Sequence, residues 1–285
     1  MSQAILITAY KDLCQLKRLI NKMQDLFIYV HIDKNAKELY SELRKEYKEE
    51  NRVIIVSKYS ISWGSYNHLR AVVYLMKLVE HNPEVKYIHV VSGQDYPVVN
   101  SDIFAKFEFC NNVYMTCKIV TEINDCVLGR YNKKHLLTCF LDIRSGLYKR
   151  LDKRFAKHRE GIGCFDVREL YKGMIWASMP VEVCQYVLSF IRSNEGKCFF
   201  NGLKFSEIPE EVFFQTIIMH SKYKDFVVSD NLRYTLWQEK NGSYPGVLDE
   251  SDYESICNSN AVFARKIDSN YSIELISLID NKIDD

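Results

Sequence analysis

The chain has 285 residues, 47% of them hydrophobic and 26% charged, a composition that excludes a disordered or fibrous protein. Lysine and arginine total 38 and aspartate and glutamate 37, so the formal net charge is +1. That balance argues against a general nucleic-acid binder, which carries a marked basic excess, and no stretch approaches the roughly 18 to 20 apolar residues that span a bilayer.

The first half alternates short apolar runs with amphipathic stretches. Residues 4–9 read as a first buried strand that ends at Ala9-Tyr10. Leu13, Leu16, Leu19, Ile20 and Met23 then recur at helical spacing. Residues 26–32, β-branched and aromatic, suit a second buried strand, and residues 37–50 a charged helix. Residues 53–56 form a third strand, Leu69, Val72, Val73, Met76 and Val79 mark another helix, and residues 87–91 a fourth strand. This order predicts an α/β fold with a mostly parallel sheet between helices. Ligands of such sheets bind beyond the carboxyl ends of the strands. There the sequence places Ala9-Tyr10, Asp33-Lys34, residues 60–65 and residues 92–95.

The second half is less regular. Residues 130–159 are rich in Lys, Arg and aromatics: a solvated helix face, or a surface for an anionic membrane or an acidic acceptor. Residues 170–177 read as a strand and 181–191 as a helix. Residues 210–221 read as a helix with Pro209 in its first turn and Val212, Phe213, Thr216 and Ile217 on its buried face. Residues 226–237 read as extended and 242–246 as a turn. With no repeat and no convincing linker, one domain over 1–285 is expected, in two functional halves over residues 1–120 and 121–285. The nine cysteines are scattered, without a C-x-x-C pair, so reduced, mostly buried thiols are expected. The seven histidines show no H-x-x-x-H spacing, which speaks against a structural zinc site.

The common nucleotide and hydrolase motifs are missing: G-x-G-x-x-G, the G-x-x-x-x-G-K-[ST] phosphate loop and the G-x-S-x-G elbow. There is also no Asp-x-Asp, the pair on which many nucleotide-sugar enzymes hold a divalent metal. What remains has two readings at each place. Asp33 suits a ribose or uracil, or a turn cap. Trp63, before a helix, suits a base or sugar face, or the core. Ser92-Gly93-Gln94-Asp95-Tyr96-Pro97 closes a strand beside a ligand, or merely turns. Glu210 and Glu211 at a helix start supply a general base, or ordinary charging of the helix dipole. Arg265-Lys266 is a surface pair, or the counter-charge of a diphosphate with no metal to balance it.

In this order the pieces resemble the Core-2/I-branching N-acetylglucosaminyltransferase family, which also contains the peptide O-xylosyltransferases. The resemblance runs over residues 3–268 and rests on Ile7-Thr8-Ala9-Tyr10-Lys11, His31-Ile32-Asp33-Lys34, Trp63-Gly64-Ser65, the Ser92–Pro97 run, Gly173-x-x-Trp176, Pro209-Glu210-Glu211-x-x-x-x-Thr216 and Phe263-Ala264-Arg265-Lys266. It implies a GT-A-type nucleotide-sugar fold and inverting, metal-independent transfer from a UDP-sugar, with N-acetylglucosamine leading and xylose, glucose or glucuronic acid behind. It implies no cofactor. Carried over by position, Glu211 matches the catalytic base. Ala9, Tyr10, Asp33, Trp63, Gln94, Asp95, Arg265 and Lys266 fall on the donor, and Arg130, Trp176 and Trp237 on the acceptor. Two features depart from the pattern: Tyr10 stands where many members have His, and no second Arg lies within residues 246–252. The expected setting is cytoplasmic, at most peripheral to a membrane. The expected acceptor is an oligosaccharide or lipid-linked glycan of surface polysaccharide synthesis.

Overall fold

The computed structural model describes residues 2–284. Strand β1 (Gln3–Ala9) is buried along its whole length, as a central parallel strand must be. Its period of two sends Ala4 and Leu6 into one core and Ile5, Ile7 and Ala9 into the other. Helix α1 (Leu13–Lys22) starts where the Asp12 carboxylate accepts from the Gln15 amide at 3.0 Å, and it buries Leu16, Leu19 and Ile20. Strand β2 (Phe27–Ile32) follows, then α2 (Lys37–Glu46), which buries only Leu39 and Leu43 and leaves its charges in water. Strand β3 (Val53–Val56) leads to α3 (Tyr66–Val79), whose Leu69, Val72, Val73, Met76 and Val79 face the sheet. Strand β4 (Tyr87–Ser92) and the short β5 (Asp95–Pro97) complete the regular half.

Beyond it the elements are short. Strand β6 (Val113–Tyr114), helix α4 (Gly146–Phe155), strand β7 (Ser178–Pro180) and helices α5 (Val181–Arg192), α6 (Asn194–Gly202) and α7 (Phe213–Met219) come next. Strands β8 (Val227–Val228), β9 (Arg233–Thr235) and β10 (Phe263–Arg265) and helix α8 (Ile273–Asp284) end the chain. Among the described residues, seven strands build the main sheet in the order β8-β6-β7-β4-β1-β2-β3. From β4 to β3 the pairs are parallel; β7 runs antiparallel to β4 and β6. This is the α/β, mostly parallel arrangement that the sequence predicts. A second sheet, β9-β10-β5, sets Arg265 directly opposite Asp95. The buried Arg233 ties the two sheets together, donating to the Ser178 hydroxyl at 2.8 Å and the Val90 carbonyl at 3.1 Å.

Three expectations are corrected. The strand expected over residues 170–177 is a two-residue pairing, Tyr171–Lys172 with Lys118–Ile119, and the main-sheet strand begins only at Ser178. Between them the chain crosses Thr116 at Gly173, where a Cβ would lie 1.7 Å from the Thr116 carbonyl oxygen. The helix expected over residues 210–221 is a 3₁₀ turn, Pro209–Glu211, followed by α7, although all four residues of the expected apolar face are buried. The cysteines are free as expected but not mostly buried: Cys184 is buried, while Cys14, Cys126, Cys164 and Cys198 sit exposed on turns and outward helix faces. No described helix is long and apolar enough to cross a membrane.

Candidate active site

The carboxyl ends of β1, β2 and β4 open on one side of the sheet, and loops knit them together there. The Ala9 carbonyl accepts from the Asp33 amide at 2.8 Å. Asp33 is buried, and its carboxylate accepts from the Asn35 amide at 2.7 Å and the Ile61 amide at 3.0 Å. It therefore fastens the end of β2 to the 60–65 turn, while each oxygen keeps a lone pair for another donor. Gly64 has φ +65°, a conformation that suits glycine, and its carbonyl accepts from the Ile208 amide at 3.1 Å. That bond brings the Trp63 turn to the segment carrying the two glutamates. Trp63 is 52% exposed, with the Arg144 guanidinium 5.5 Å from its ring centre, and Tyr10 is also exposed. Gln94 is half-buried, and its carbonyl accepts from the Ile267 amide at 2.8 Å.

Arg265, which on its own reads as one of a surface pair, is buried. Its guanidinium lies 4.5 Å from the centre of the Trp176 ring and its Nε 3.5 Å from Asp95 Oδ1. Asp95 has no exposed surface; its other oxygen accepts from the Ser92 amide at 2.8 Å and from the Ser92 hydroxyl. Asp95 and Trp176 thus stand behind Arg265 and fix its direction. Lys266 donates to the Ser243 hydroxyl at 3.0 Å. Burial, then the neighbouring charges of Arg265 and Lys11, lower its pKa, a like-charge strain that a bound anion relieves. Next to Ser243, Tyr244 pairs with Trp237 at 6.2 Å between ring centres, and both rings are exposed beside the cations.

The two glutamates divide in role. Glu211 accepts from Arg130 at 3.4 Å and pairs with Lys172 at 3.1 Å, and its side chain keeps 24% of its surface in solvent. Burial raises its pKa above the usual carboxylate value, against the pull of Lys172 and Arg130. A partly desolvated, solvent-reachable carboxylate of this kind is a competent proton acceptor near neutral pH. Glu210 is buried, its Oε1 3.1 Å from His68 Nδ1, and its Oε2 has no partner among the described residues. His68 Nε2 lies 3.2 Å from the Thr8 hydroxyl at the end of β1, and its ring is 5.8 Å from that of Trp176. A continuous line of contacts therefore runs from the glutamate turn through His68 and Trp176 to Arg265.

Of the expected residues, the fold brings Arg130 to Glu211 and stacks Trp176 with Arg265. Ala9 is the buried last residue of β1, Tyr10, Asp33, Trp63 and Gln94 lie on the strand-end loops, and Trp237 lies on the loop that carries Lys266's partner. Trp176 and Asp95 are buried behind the exposed groups rather than at the surface. Sequence reasoning missed Lys172 and His68 as members of the site. Their only signals were position: Lys172 precedes the Gly173-x-x-Trp176 motif, and His68 sits in the first turn after Trp63-Gly64-Ser65. Away from this site, His135, Asp152 and Glu207 come close enough to suggest a cation site. His135 Nδ1 faces Asp152 at 2.7 Å and Nε2 the Gly129 carbonyl at 3.0 Å, so both ring nitrogens are already engaged within the protein.

Gly173 ties the fold to this chemistry, because its amide donates to the Glu211 carbonyl at 2.8 Å. Gly173→Ala drives a methyl into the Thr116 carbonyl. The expected cost is roughly 1–3 kcal/mol of stability together with a loss of activity as Glu211 shifts. A urea titration and an initial-rate assay on the same preparation check both effects.

A half-buried carboxylate held by two cations, and a line of contacts from the neighbouring Glu210 to the Trp176–Arg265 stack, thus lie at one edge of an α/β sheet. The model of the Core-2/I-branching enzyme family matches residues 4–257, and the chain belongs to that glycosyltransferase family. Among curated relatives, the xylosyltransferase sqv-6 of Caenorhabditis briggsae is 22% identical over 92% of this chain and 34% of its own. Xylosyltransferase 1 of Rattus norvegicus is 24% identical over 80% of this chain and 27% of its own. The chain spans about a third of the length of these relatives. Among solved structures, apo mouse xyloside xylosyltransferase 1 covers 95% of this chain and 99% of its own, at 11% identity and a TM-score of 0.41.

Proposed function

We propose that the protein is an inverting glycosyltransferase of GT-A type that moves a sugar from a UDP donor to a hydroxyl of a glycan acceptor, without a metal ion. The observation that carries the reading is Glu211, a half-buried carboxylate with a raised pKa, next in the chain to the Glu210 that His68 links to the Trp176–Arg265 wall. The acceptor hydroxyl gives its proton to Glu211 while its oxygen bonds to the anomeric carbon. The bond from that carbon to the diphosphate breaks on the opposite face, and its electron pair leaves with UDP. Lys266 and the oriented Arg265 meet the growing negative charge, the task that a metal performs where an Asp-x-Asp pair is present. The names of the curated relatives favour xylose as the donor sugar, ahead of N-acetylglucosamine, which the sequence resemblance puts first. The exposed Trp237 and Tyr244 suit the faces of acceptor sugars. An oligosaccharide or lipid-linked glycan in the cytoplasm, a precursor of surface polysaccharide, fits this site.

The test supplies a panel of UDP-sugars with chelator present and reads the anomeric configuration of the product. The expected product has inverted configuration, formed at a rate that added manganese does not raise. A retained configuration, or activity only with manganese, overturns the reading.

A further inference from the structure

Residues 130–159 hold ten Lys and Arg against two Asp, so they carry a net charge of +8 in a chain whose total is +1. The structure shows how this charge is displayed. Helix α4 is anchored on one face only: the Tyr148 hydroxyl donates to Glu207 at 2.9 Å, and Asp152 takes His135 at 2.7 Å. The opposite face exposes Lys149, Arg150, Lys153 and Arg154, and among the described residues none of these four is held in a salt bridge. Lys133 and Lys134 add to them, because they pair as a ribbon with His158 and Lys157 at the end of the helix. One of the two acids of the segment, Asp152, is consumed in the anchor, and the other, Asp142, by Arg144.

Large apolar side chains stand among these cations. Phe140 is 83% exposed and Leu147 57% exposed. Leu147 shares a line of the helix with Arg150 and Arg154, at spacings of three and seven residues. A soluble polyanion has no use for exposed Phe and Leu, whereas a bilayer with anionic headgroups uses both kinds of group. We infer that the outer face of α4, with Phe140 and the 133–134/157–158 ribbon, docks the protein on an anionic phospholipid bilayer. Arg144 at the start of this face reaches the exposed Trp63 ring on the 60–65 turn, so docking sets the strand-end loops beside the lipid surface. The inference does not depend on the transfer chemistry, and either can fail without the other.

The experiment is co-sedimentation of the full chain with phosphatidylcholine vesicles, with and without phosphatidylglycerol, at physiological ionic strength. Binding is expected only with phosphatidylglycerol. Each surface cation is worth roughly fivefold in bilayer affinity. Lys149→Gln, Arg150→Gln, Lys153→Gln and Arg154→Gln together should therefore weaken binding by roughly 100-fold or more. Phe140→Ser with Leu147→Ser should weaken it by roughly 10-fold or more while leaving every charge in place. All six positions are exposed, so an unchanged melting temperature confirms that the variants fold. Absence of binding to the anionic vesicles overturns the inference. So does vesicle binding that the apolar pair leaves unchanged and that heparin matches, since the face then serves a soluble acidic polymer.

Discussion

Replacing Glu211 by glutamine is expected to lower the turnover rate by roughly 100- to 10,000-fold, the usual worth of a general base, and to leave UDP binding unchanged. The amide retains the shape of the carboxylate and can still accept from Arg130 and Lys172, but it cannot take the acceptor's proton. Stability runs the other way. Burial raises the Glu211 pKa above its reference of 4.5, so the protonated form is the one the folded state favours. Its contribution to stability is full below about pH 4.5 and is lost as pH rises through the raised value. At neutral pH the ionised side chain is a net cost, and Glu211→Gln should melt no lower than the parent. The parent's rate should fall on acidification with an apparent pKa above 4.5, and this limb should vanish in the variant. Initial rates across pH and a melting curve check both. A variant that keeps its turnover would remove Glu211 from the role of base.

Lys266→Ala is expected to lower kcat/KM for the UDP-sugar by roughly 100- to 1000-fold, the cost of one preorganised contact to developing charge. Lys266 is the cleaner probe of the two cations. Its only side-chain partner among the described residues is the Ser243 hydroxyl, which solvent can replace. Arg265→Met instead strands the fully buried Asp95, and breaking a buried pair of this kind costs roughly 3–5 kcal/mol of stability. Steady-state kinetics on Lys266→Ala, with the melting temperature as a control, measure the leaving-group contribution. A rate within a few-fold of the parent would place the diphosphate elsewhere.

The regular half of the fold was legible because each element declares its own period. The apolar runs at β1 to β4 and the 3.6-residue spacing of α1 and α3 reach the structure nearly unchanged. The second half was not, apart from the helix expected over residues 181–191 and found at Val181–Arg192, because strands of two or three residues carry no period. Their positions follow from tertiary contacts such as Gly173 against Thr116. The candidate site shows the same division. Asp33, Trp63 and the two glutamates could be found as residues at strand ends and helix starts. The partner of His68 is Glu210, 142 positions away, so no local pattern could join them. Arg265 looked like a surface residue because the Trp176 that covers it and the Asp95 that pairs with it are supplied by distant segments of the chain.

The proposed UDP site draws its counter-charge from Arg265 and Lys266. The first measurement is the melting temperature of the purified protein with UDP, in excess chelator and again with manganese. UDP at about 100 times its dissociation constant should stabilise the parent by roughly 2.7 kcal/mol, equally in both buffers, and Lys266→Ala should lose most of that shift. Stabilisation that requires manganese, or none by UDP in either buffer, would contradict the account.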